Sequence, residues 1–173
     1  MRTLVVGLGN PLLTDDRVGL VVARALRERL ADRRDIDVEE DFNGGLRLME
    51  RMVGYDRAIV VDAICTGGVA GSIHRLRGGD MPTQHSASGH DATLRTALDF
   101  GRSVGAALPR DEGVIVIGIE AADVSTFGSR CTPEVQAAVP VAVETVLSAL
   151  ESGEARDDFT GSSASVPVFH HGE

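Results

Sequence analysis

Three continuous apolar segments constrain the fold of this chain more than any other feature. They read TLVVGLG from Thr3, RAIVVDAI from Arg57 and GVIVIGIEAA from Gly113. A strand that is buried on both faces needs apolar residues at consecutive positions, and such strands are typical of parallel sheets covered by helices. We therefore predict that these segments form the centre of a parallel sheet.

Patterns at helical spacing separate the apolar segments. The first pattern, which follows Asp16, consists of Val18, Val21, Val22, Ala25, Leu26 and Leu30. The second is predicted to run from about Asp91 to Ala107, with a buried stripe of Leu94, Ala97, Leu98 and Val104. Strands that alternate with helices favour an α/β three-layer sandwich, with a twisted, mostly parallel sheet of about five strands and helices on both faces.

Weaker signals predict the remaining elements. DIDVEED, from Asp35, is expected to be a strand, and a short helix is expected around 46–52. SIHRLRGG is predicted to be a short antiparallel or edge strand, because no helix separates it from the strand before it. Thr132 and Pro133 are typical of an N-cap and first helical position, and Pro140 is expected to kink this last helix or to lie near its first turns.

Length and composition bound the class of protein. The 173 residues suit a single α/β domain over residues 1–150, followed by an acidic tail, 151–173, that is predicted to be disordered. The net charge of −9 and the 3% aromatic content oppose binding to nucleic acid or to an anionic membrane. The absence of a signal-peptide pattern and the two isolated cysteines, Cys65 and Cys131, favour a cytoplasmic protein.

The turn after the first strand, GLGNPLLTDD, combines two features that predict opposite ligands. Gly7 and Gly9 begin the dinucleotide-binding pattern G-x-G-x-x-G, but the third glycine is replaced by Leu12. Asp15 and Asp16 would also repel a phosphate group at the start of the next helix, so no nucleotide cofactor is expected. Either acid is typical of a helix N-cap, and one can cap while the other faces solvent or a metal.

Several groups with metal-binding or catalytic chemistry are expected at one edge of the sheet. Asp62 lies at the end of an apolar segment, where a carboxylate needs hydrogen-bond donors, a cation or access to solvent. Together with Asp16 and one of the histidines His85 and His90, it gives two carboxylates and an imidazole. This donor set suits zinc, nickel or a similar divalent ion. A nucleophilic Cys65 assisted by a histidine is an alternative.

The segments GLGNPLLTDDRVG, IVVDAI and SGHDATLRTAL, in this order and spacing, resemble the hydrogenase maturation endopeptidases. These enzymes remove a C-terminal extension from the large subunit of nickel–iron hydrogenase after nickel insertion. The resemblance covers residues 1 to about 150 and implies a fold similar to that of peptidyl-tRNA hydrolase. It implies that Asp16, Asp62 and His90 are the catalytic and metal-binding residues, and that Asp15 is the neighbouring family acid.

The resemblance also implies the partners. The substrate is expected to be the large-subunit precursor, with its nickel, or another divalent metal, recognised at the cleft. Neither a nucleic acid nor a membrane partner is expected, and the enzyme is expected to be monomeric. The sequence leaves open whether peptide hydrolysis is aspartic-type or assisted by a metal.

Two alternative functions stay open at this stage. A peptidyl-tRNA hydrolase also begins with GLGNP, but its T-R-H-N segment, which carries the catalytic histidine, is replaced here by LLTDDRVG. A hydrogenase-assembly or metal chaperone would bind the precursor without cleaving it. The chain also departs from the family pattern at Arg17, which could pair with one acid, and in EEDFNGGL, where Asp41, Asn43 and Gly44 stand in for a D-G-G or D-G-T turn.

Overall fold

The sheet of this protein has five strands, seen in a computed structural model that describes residues 1–77 and 93–152. The strands are β1 (Thr3–Leu8), β2 (Ile36–Asp41), β3 (Arg57–Ile64), β4 (Ile73–Arg77) and β5 (Val114–Glu120). The helices are α1 (Val18–Arg29), α2 (Gly45–Arg51), α3 (Leu94–Ser103) and α4 (Pro133–Glu151), with short 3-10 turns at Asp15–Arg17 and Asp111–Gly113.

The strand order is β2-β1-β3-β5-β4, and every neighbouring pair is parallel except β4 with β5. The predicted three-layer α/β sandwich is therefore confirmed, as is the prediction of an antiparallel edge strand. All residues of β1, β3 and β5 are buried. This burial agrees with their continuous apolar sequences, because a central strand in such a sheet has helices against both faces.

Successive side chains of each strand point to opposite faces and form two separate cores. Val5, Ile59 and Ile117 belong to the core that includes buried residues of α1 and α4. Leu4, Val60 and their neighbours belong to the core that includes buried residues of α2 and α3. The period of two therefore decides which layer of helices each strand residue meets.

The chain leaves β1 in one direction to form β2 and later returns to form β3 on the other side of β1. The order of the strands thus reverses between β1 and β3. In open α/β sheets, the crevice at the carboxyl ends of two such strands is the usual place for a ligand. Asp16 follows β1 and Asp62 lies near the end of β3, so the fold brings both acids to this crevice.

Two glycines allow α1 to pack directly on the sheet. A Cβ atom at Gly7 would lie 2.1 Å from the carbonyl oxygen of Gly19. A Cβ atom at Gly19 would lie 2.2 Å from the carbonyl oxygen of Leu8 and 2.3 Å from that of Val61. Only hydrogen fits at these positions, because both contacts are with backbone atoms. Gly7 in β1 and Gly19 in α1 therefore allow the helix to lie directly against the sheet.

The structure differs from the sequence-based predictions in the helices. The helix α3 ends at Ser103, and Val104 is 66% exposed, so its assignment to the buried stripe was wrong. The helix α4 continues through Pro140. Because proline has no N–H, the carbonyl of Gln136 receives no helical hydrogen bond from it, and Gln136 is an exposed residue. Of the predicted disordered tail, 151–173, Glu151 is the last residue of α4, and residues 153–173 lie outside the described residues. No helix in the described parts of the chain has the length and apolar content of a bilayer span.

Candidate active site

Asp16 lies in the 3-10 turn that joins β1 to α1, and it is 5% exposed. Its Oδ2 accepts a hydrogen bond of 3.0 Å from the backbone N–H of Asn10, so the turn folds back onto its own carboxylate. Gly9 has a φ of 147°, and a Cβ atom there would lie 1.9 Å from the carbonyl oxygen of Asp16. The turn therefore requires glycine at position 9 for both conformation and space.

Asp62 lies in β3 opposite Gly118 of β5 and is 1% exposed. It shares its face of the sheet with Val60, whose core includes residues of α2 and α3. The 3-10 turn that carries Asp16 packs against β3, and Gly19 at the start of α1 contacts the carbonyl of Val61. Asp16 thus lies in the turn after β1 and Asp62 near the end of the adjacent strand β3, at the same edge of the sheet.

The third predicted residue, His90, lies outside the described residues, as does His85. The described chain resumes at Thr93, whose Oγ1 caps α3 by accepting a hydrogen bond of 3.1 Å from the N–H of Thr96. Leu94 is buried in the same core as Val60. The segment that contains His90 therefore leads into a helix on the face of the sheet to which Asp62 belongs.

Asp15 has a different role from Asp16, although the two are adjacent. Its carboxylate is fully buried and accepts four hydrogen bonds of 2.7–2.9 Å. The donors are the N–H groups of Ala122 and Asp123 and both the N–H and the hydroxyl of Thr132. The N-cap positions of the 3-10 turn and of α1 are Thr14 and Arg17, so the prediction that one of the two acids is an N-cap residue was wrong. Asp15 instead joins the end of β5 to the start of α4.

Arg17 contacts backbone carbonyls of two loops. Its guanidinium donates hydrogen bonds to Ser129 at 2.6 Å, to Gly128 at 2.5 Å and to Leu13 at 3.2 Å, and also to Pro11. These four acceptors hold the loop after β1 against the loop after β5. Arg17 therefore has an anchoring role, which suits the fork of donors on a guanidinium, while its pairing with one of the acids stays a prediction.

Asp41 organises the altered turn after β2. One carboxylate oxygen accepts hydrogen bonds from the N–H groups of Phe42 and Asn43 at 2.7 and 3.1 Å, and the other accepts from Arg51 Nε at 3.0 Å. Gly44 is then the N-cap residue of α2. The turn in EEDFNGGL is therefore held by hydrogen bonds from backbone N–H groups to the side chain of Asp41.

Glu120 is a buried acid that sequence reasoning did not single out. It ends β5 beside Ile64, is 1% exposed, and accepts hydrogen bonds from Thr66, Gly67 and Gly68. Burial raises the pKa of this carboxyl group, but the hydrogen bonds outweigh burial and hold the pKa below its ordinary value. The available signal was an acid at the end of an apolar strand, which also marks Asp62.

The Cys65 thiol lies in the field of several carboxylates. Burial raises its pKa, and the negative charges of Glu120, Asp16, Asp15 and Asp62 raise it further, in that order. A raised pKa leaves little thiolate at neutral pH, which disfavours Cys65 as the nucleophile.

Three of the buried acids have several local hydrogen-bond donors. Asp15, Asp41 and Glu120 each accept several short hydrogen bonds from local donors, which suits the support of loops. Asp16 and Asp62 are the acids at the crevice between β1 and β3. Within residues 1–77 and 93–152, no three His, Cys, Asp or Glu side chains are placed to hold a metal. A three-ligand site would therefore need a donor from residues 78–92 or 153–173.

Sequence comparisons with known proteins identify the family of the chain. A family model described as hydrogenase maturation protease matches residues 20–149. The hydrogenase 2 maturation protease of Escherichia coli is 31% identical over 88% of this chain and 93% of its own length. The hydrogenase expression/formation protein HupD of Rhizobium leguminosarum is 27% identical over 87% of this chain and 75% of its own length.

The fold comparison gives the same result. The solved structure of the hydrogenase maturating endopeptidase HybD from E. coli superposes with a TM-score of 0.70. The match covers 88% of this chain and 94% of that protein, at 26% identity. Sequence and fold thus agree over almost the whole described chain, and the chain belongs to the hydrogenase maturation protease family and is an endopeptidase.

Proposed function

We propose that this endopeptidase removes the C-terminal extension of a nickel–iron hydrogenase large-subunit precursor after nickel has been inserted. The position of Asp16 and Asp62, together at the crevice between β1 and β3, is the observation that carries this proposal. Two carboxylates at the ligand-binding edge of an α/β sheet can bind a cation and move a proton, and cleavage of a peptide bond beside a metal centre needs both.

The donor set fits a divalent metal such as nickel. Asp16 and Asp62 supply carboxylate oxygens, and we propose that His90 supplies an imidazole nitrogen, which together suit a borderline ion. The nickel is part of the substrate, because the precursor already holds it when it reaches the crevice. A bound ion supplies Lewis-acid polarisation of a carbonyl group. Recognition of the metal would restrict cleavage to precursor in which assembly is complete.

The proton transfers fall to the carboxylates of the chain. We assign Asp62 as the general base, because it is almost fully enclosed beside the apolar core of the sheet. Its carboxylate takes a proton from the attacking water as the oxygen of that water bonds to the scissile carbonyl carbon. The proton then passes to the leaving amine as the carbon–nitrogen bond breaks. Asp16, held by the N–H of Asn10, orients the metal or the water.

The substrate is a protein, so its contacts would extend beyond the crevice. The loop after β1 and the loop after β5 pair through a backbone bridge between Leu13 and Phe127. Arg17 reinforces this pairing through carbonyls of both loops. Leu12 and Phe127 are 62% and 79% exposed on these two loops. We propose that they contact apolar side chains of the precursor near its cleavage site.

The proposal is tested with purified precursor, loaded with nickel or free of it. Incubation with the protein should remove the C-terminal extension only from loaded precursor, seen as a loss of mass in intact-protein mass spectrometry. Asp16→Asn, Asp62→Asn and His90→Ala should each reduce the rate by a factor of about 100 or more. Asp32→Asn is the matched control, because Asp32 is an exposed aspartate in the turn between α1 and β2.

The outcomes separate this proposal from its alternatives. Binding of loaded precursor without any loss of mass would identify an assembly chaperone and reject the protease. Cleavage at the same rate by wild-type protein and by the three site variants would reject the proposed site. Equal cleavage of loaded and nickel-free precursor would reject the requirement for nickel.

A further inference from the structure

We infer that Glu120 is a positioning residue for the cleavage reaction, and that it acts by holding the turn Cys65–Gly68 against the crevice. The inference rests on the proposed function for its link to catalysis. Its structural basis is independent of that function, since it depends on the hydrogen bonds of one buried carboxylate.

The first observation is the number and origin of these hydrogen bonds. Glu120 Oε1 accepts from the N–H groups of Thr66, Gly67 and Gly68 at 2.7, 2.9 and 3.0 Å. Its Oε2 accepts from the hydroxyl of Thr66 at 2.8 Å. Three consecutive backbone N–H groups thus converge on one side chain, in the manner of an anion-binding nest. Here the bound anion is the carboxylate of Glu120.

The backbone of Glu120 holds the other end of the same loop. Its N–H donates to the carbonyl of Ser72 at 2.9 Å, and its carbonyl accepts from the N–H of Gly71 at 2.8 Å. The N–H of Ala121 donates to the carbonyl of Ile64 at 2.8 Å. The connection from β3 to β4 is therefore fixed at both ends by one residue and its neighbour.

The third observation places this turn at the crevice. The turn begins directly after β3, three residues beyond Asp62, and Cys65 is its first residue. Because the turn continues β3 directly from the strand end that carries Asp62, it borders the same edge of the sheet. Displacement of the turn would therefore change the shape of the crevice next to Asp62.

The chemistry of the carboxylate explains why another side chain would serve less well. An ionised carboxylate is an acceptor only, with enough lone pairs for four donors. A glutamine has the same shape, and its oxygen can still accept from the three N–H groups while its NH₂ group donates to the Thr66 hydroxyl. The three N–H bonds would then lose the charge of their acceptor, and hydrogen bonds to a charged group are roughly twice as strong as those between neutral groups.

The test compares three variants. Glu120→Gln removes the charge at nearly constant volume, Thr66→Val removes one hydroxyl donor, and Thr66→Ser keeps it. The catalytic constants are measured with nickel-loaded precursor, well below the unfolding temperature of each variant. Glu120→Gln should lower kcat about tenfold and change KM less than about threefold. Thr66→Val should lower kcat by a smaller factor, and Thr66→Ser should restore the wild-type value.

A second readout does not depend on cleavage. The rate at which iodoacetamide modifies Cys65 is followed by peptide mass spectrometry, which also separates it from the buried Cys131. Glu120→Gln should increase this rate at pH 8 about threefold, because a negative charge beside the thiol is removed and the turn is loosened.

The possible failures are distinguishable. If wild-type protein does not cleave loaded precursor, the proposed function fails, while the Cys65 rate still reports whether Glu120 holds the turn. If wild-type protein cleaves and folded Glu120→Gln cleaves with the same kcat, the positioning role is overturned. An unchanged Cys65 rate in folded Glu120→Gln overturns the structural basis. Should Glu120→Gln fail to fold, the comparison of Thr66→Val with Thr66→Ser decides the same question.

Discussion

The carboxylate of Asp15 accepts two hydrogen bonds from Thr132, one from its N–H at 2.7 Å and one from its hydroxyl at 2.9 Å. The two residues are 117 positions apart in the sequence. Through this contact, the turn that carries Asp16 is fixed to the first residues of α4. The two adjacent acids therefore differ in position: Asp15 supports the turn through its hydrogen bonds, and Asp16 lies at the crevice.

This relationship predicts the effect of Asp15→Asn on stability. The substitution removes a buried charge that accepts four hydrogen bonds, and the new NH₂ group faces donors. We expect the free energy of unfolding to fall by about 2–4 kcal/mol, measured by urea denaturation. Thr132→Ser is the matched control, because it keeps the hydroxyl and should cost less than about 1 kcal/mol. Equal stability of Asp15→Asn and wild-type protein would contradict the supporting role.

The close approach of α1 to the sheet predicts the effect of Gly19→Ala. The added Cβ would overlap the carbonyl oxygens of Leu8 and Val61, which cannot move without displacing β1 or β3. We expect a loss of about 2 kcal/mol or more and a shift of Asp16 away from Asp62. Gly44→Ala is the control, since no atom lies within 4 Å of a Cβ there, and it should change stability by less than about 1 kcal/mol. Both values can be measured by thermal unfolding, and similar losses in the two variants would contradict this account.

The central strands were predictable because strands buried on both faces consist of consecutive apolar residues, as most of β3 does. The position of Asp62 near the end of β3, and of Asp16 in the turn after β1, was predictable as well, because the carboxyl ends of parallel strands share one edge. The partner of Asp15 was not predictable, since a contact over such a sequence distance leaves no local pattern. The position of Glu120 at the end of an apolar strand was an available signal, but its donors were not predictable, because they lie in a loop whose conformation has no periodicity. Val104 was misassigned because helical periodicity does not mark where a helix ends.

The hydrogen bonds of Glu120 predict a pH dependence of stability. The pKa of this carboxyl group is held below its ordinary value of 4.5 in the folded protein. Its contribution is therefore fully present above pH 4.5 and is lost as the pH falls through the lower, folded-state pKa. The stability difference between wild-type protein and Glu120→Gln should be constant near neutral pH and shrink in acid.

Comparison of the two proteins isolates Glu120 from other acids whose pKa is also lowered, such as Asp37 and Glu40. The neighbouring Cys65 thiol stays protonated in acid, because its pKa is raised. The measurement is urea denaturation at a series of pH values between about 3 and 8. A difference that grows as the pH falls would show that the sign is wrong.

The contacts of Arg17 predict that its removal weakens the fold near the crevice without improving metal binding. Arg17→Lys keeps the charge but cannot reach carbonyls of both loops at once, so we expect a loss of about 1–2 kcal/mol. If Arg17 instead neutralises an acid at the crevice, its removal should raise the affinity of the crevice for a divalent cation. Titration of Arg17→Gln with nickel should give an affinity no higher than that of wild-type protein. A clear gain in affinity would contradict the anchoring role.

The exposed apolar residues on the paired loops predict an effect on substrate binding. Phe127 is 79% exposed, yet its loop is held by a backbone bridge and by hydrogen bonds from Arg17 to Gly128 and Ser129. Phe127→Ala should therefore leave stability almost unchanged and raise KM for the precursor about tenfold, equivalent to about 1.4 kcal/mol of binding. Phe100→Ala is the matched control, because Phe100 is 55% exposed on α3, away from the paired loops.

Steady-state cleavage of loaded precursor by both variants gives the comparison. A rise in KM that is confined to Phe127→Ala supports contact with the precursor. Equal values of KM for the two variants would mean that the paired loops do not contact the substrate. A loss of kcat at unchanged KM in Phe127→Ala would indicate that the loop acts by positioning Asp16, because both belong to the structure that Arg17 holds together.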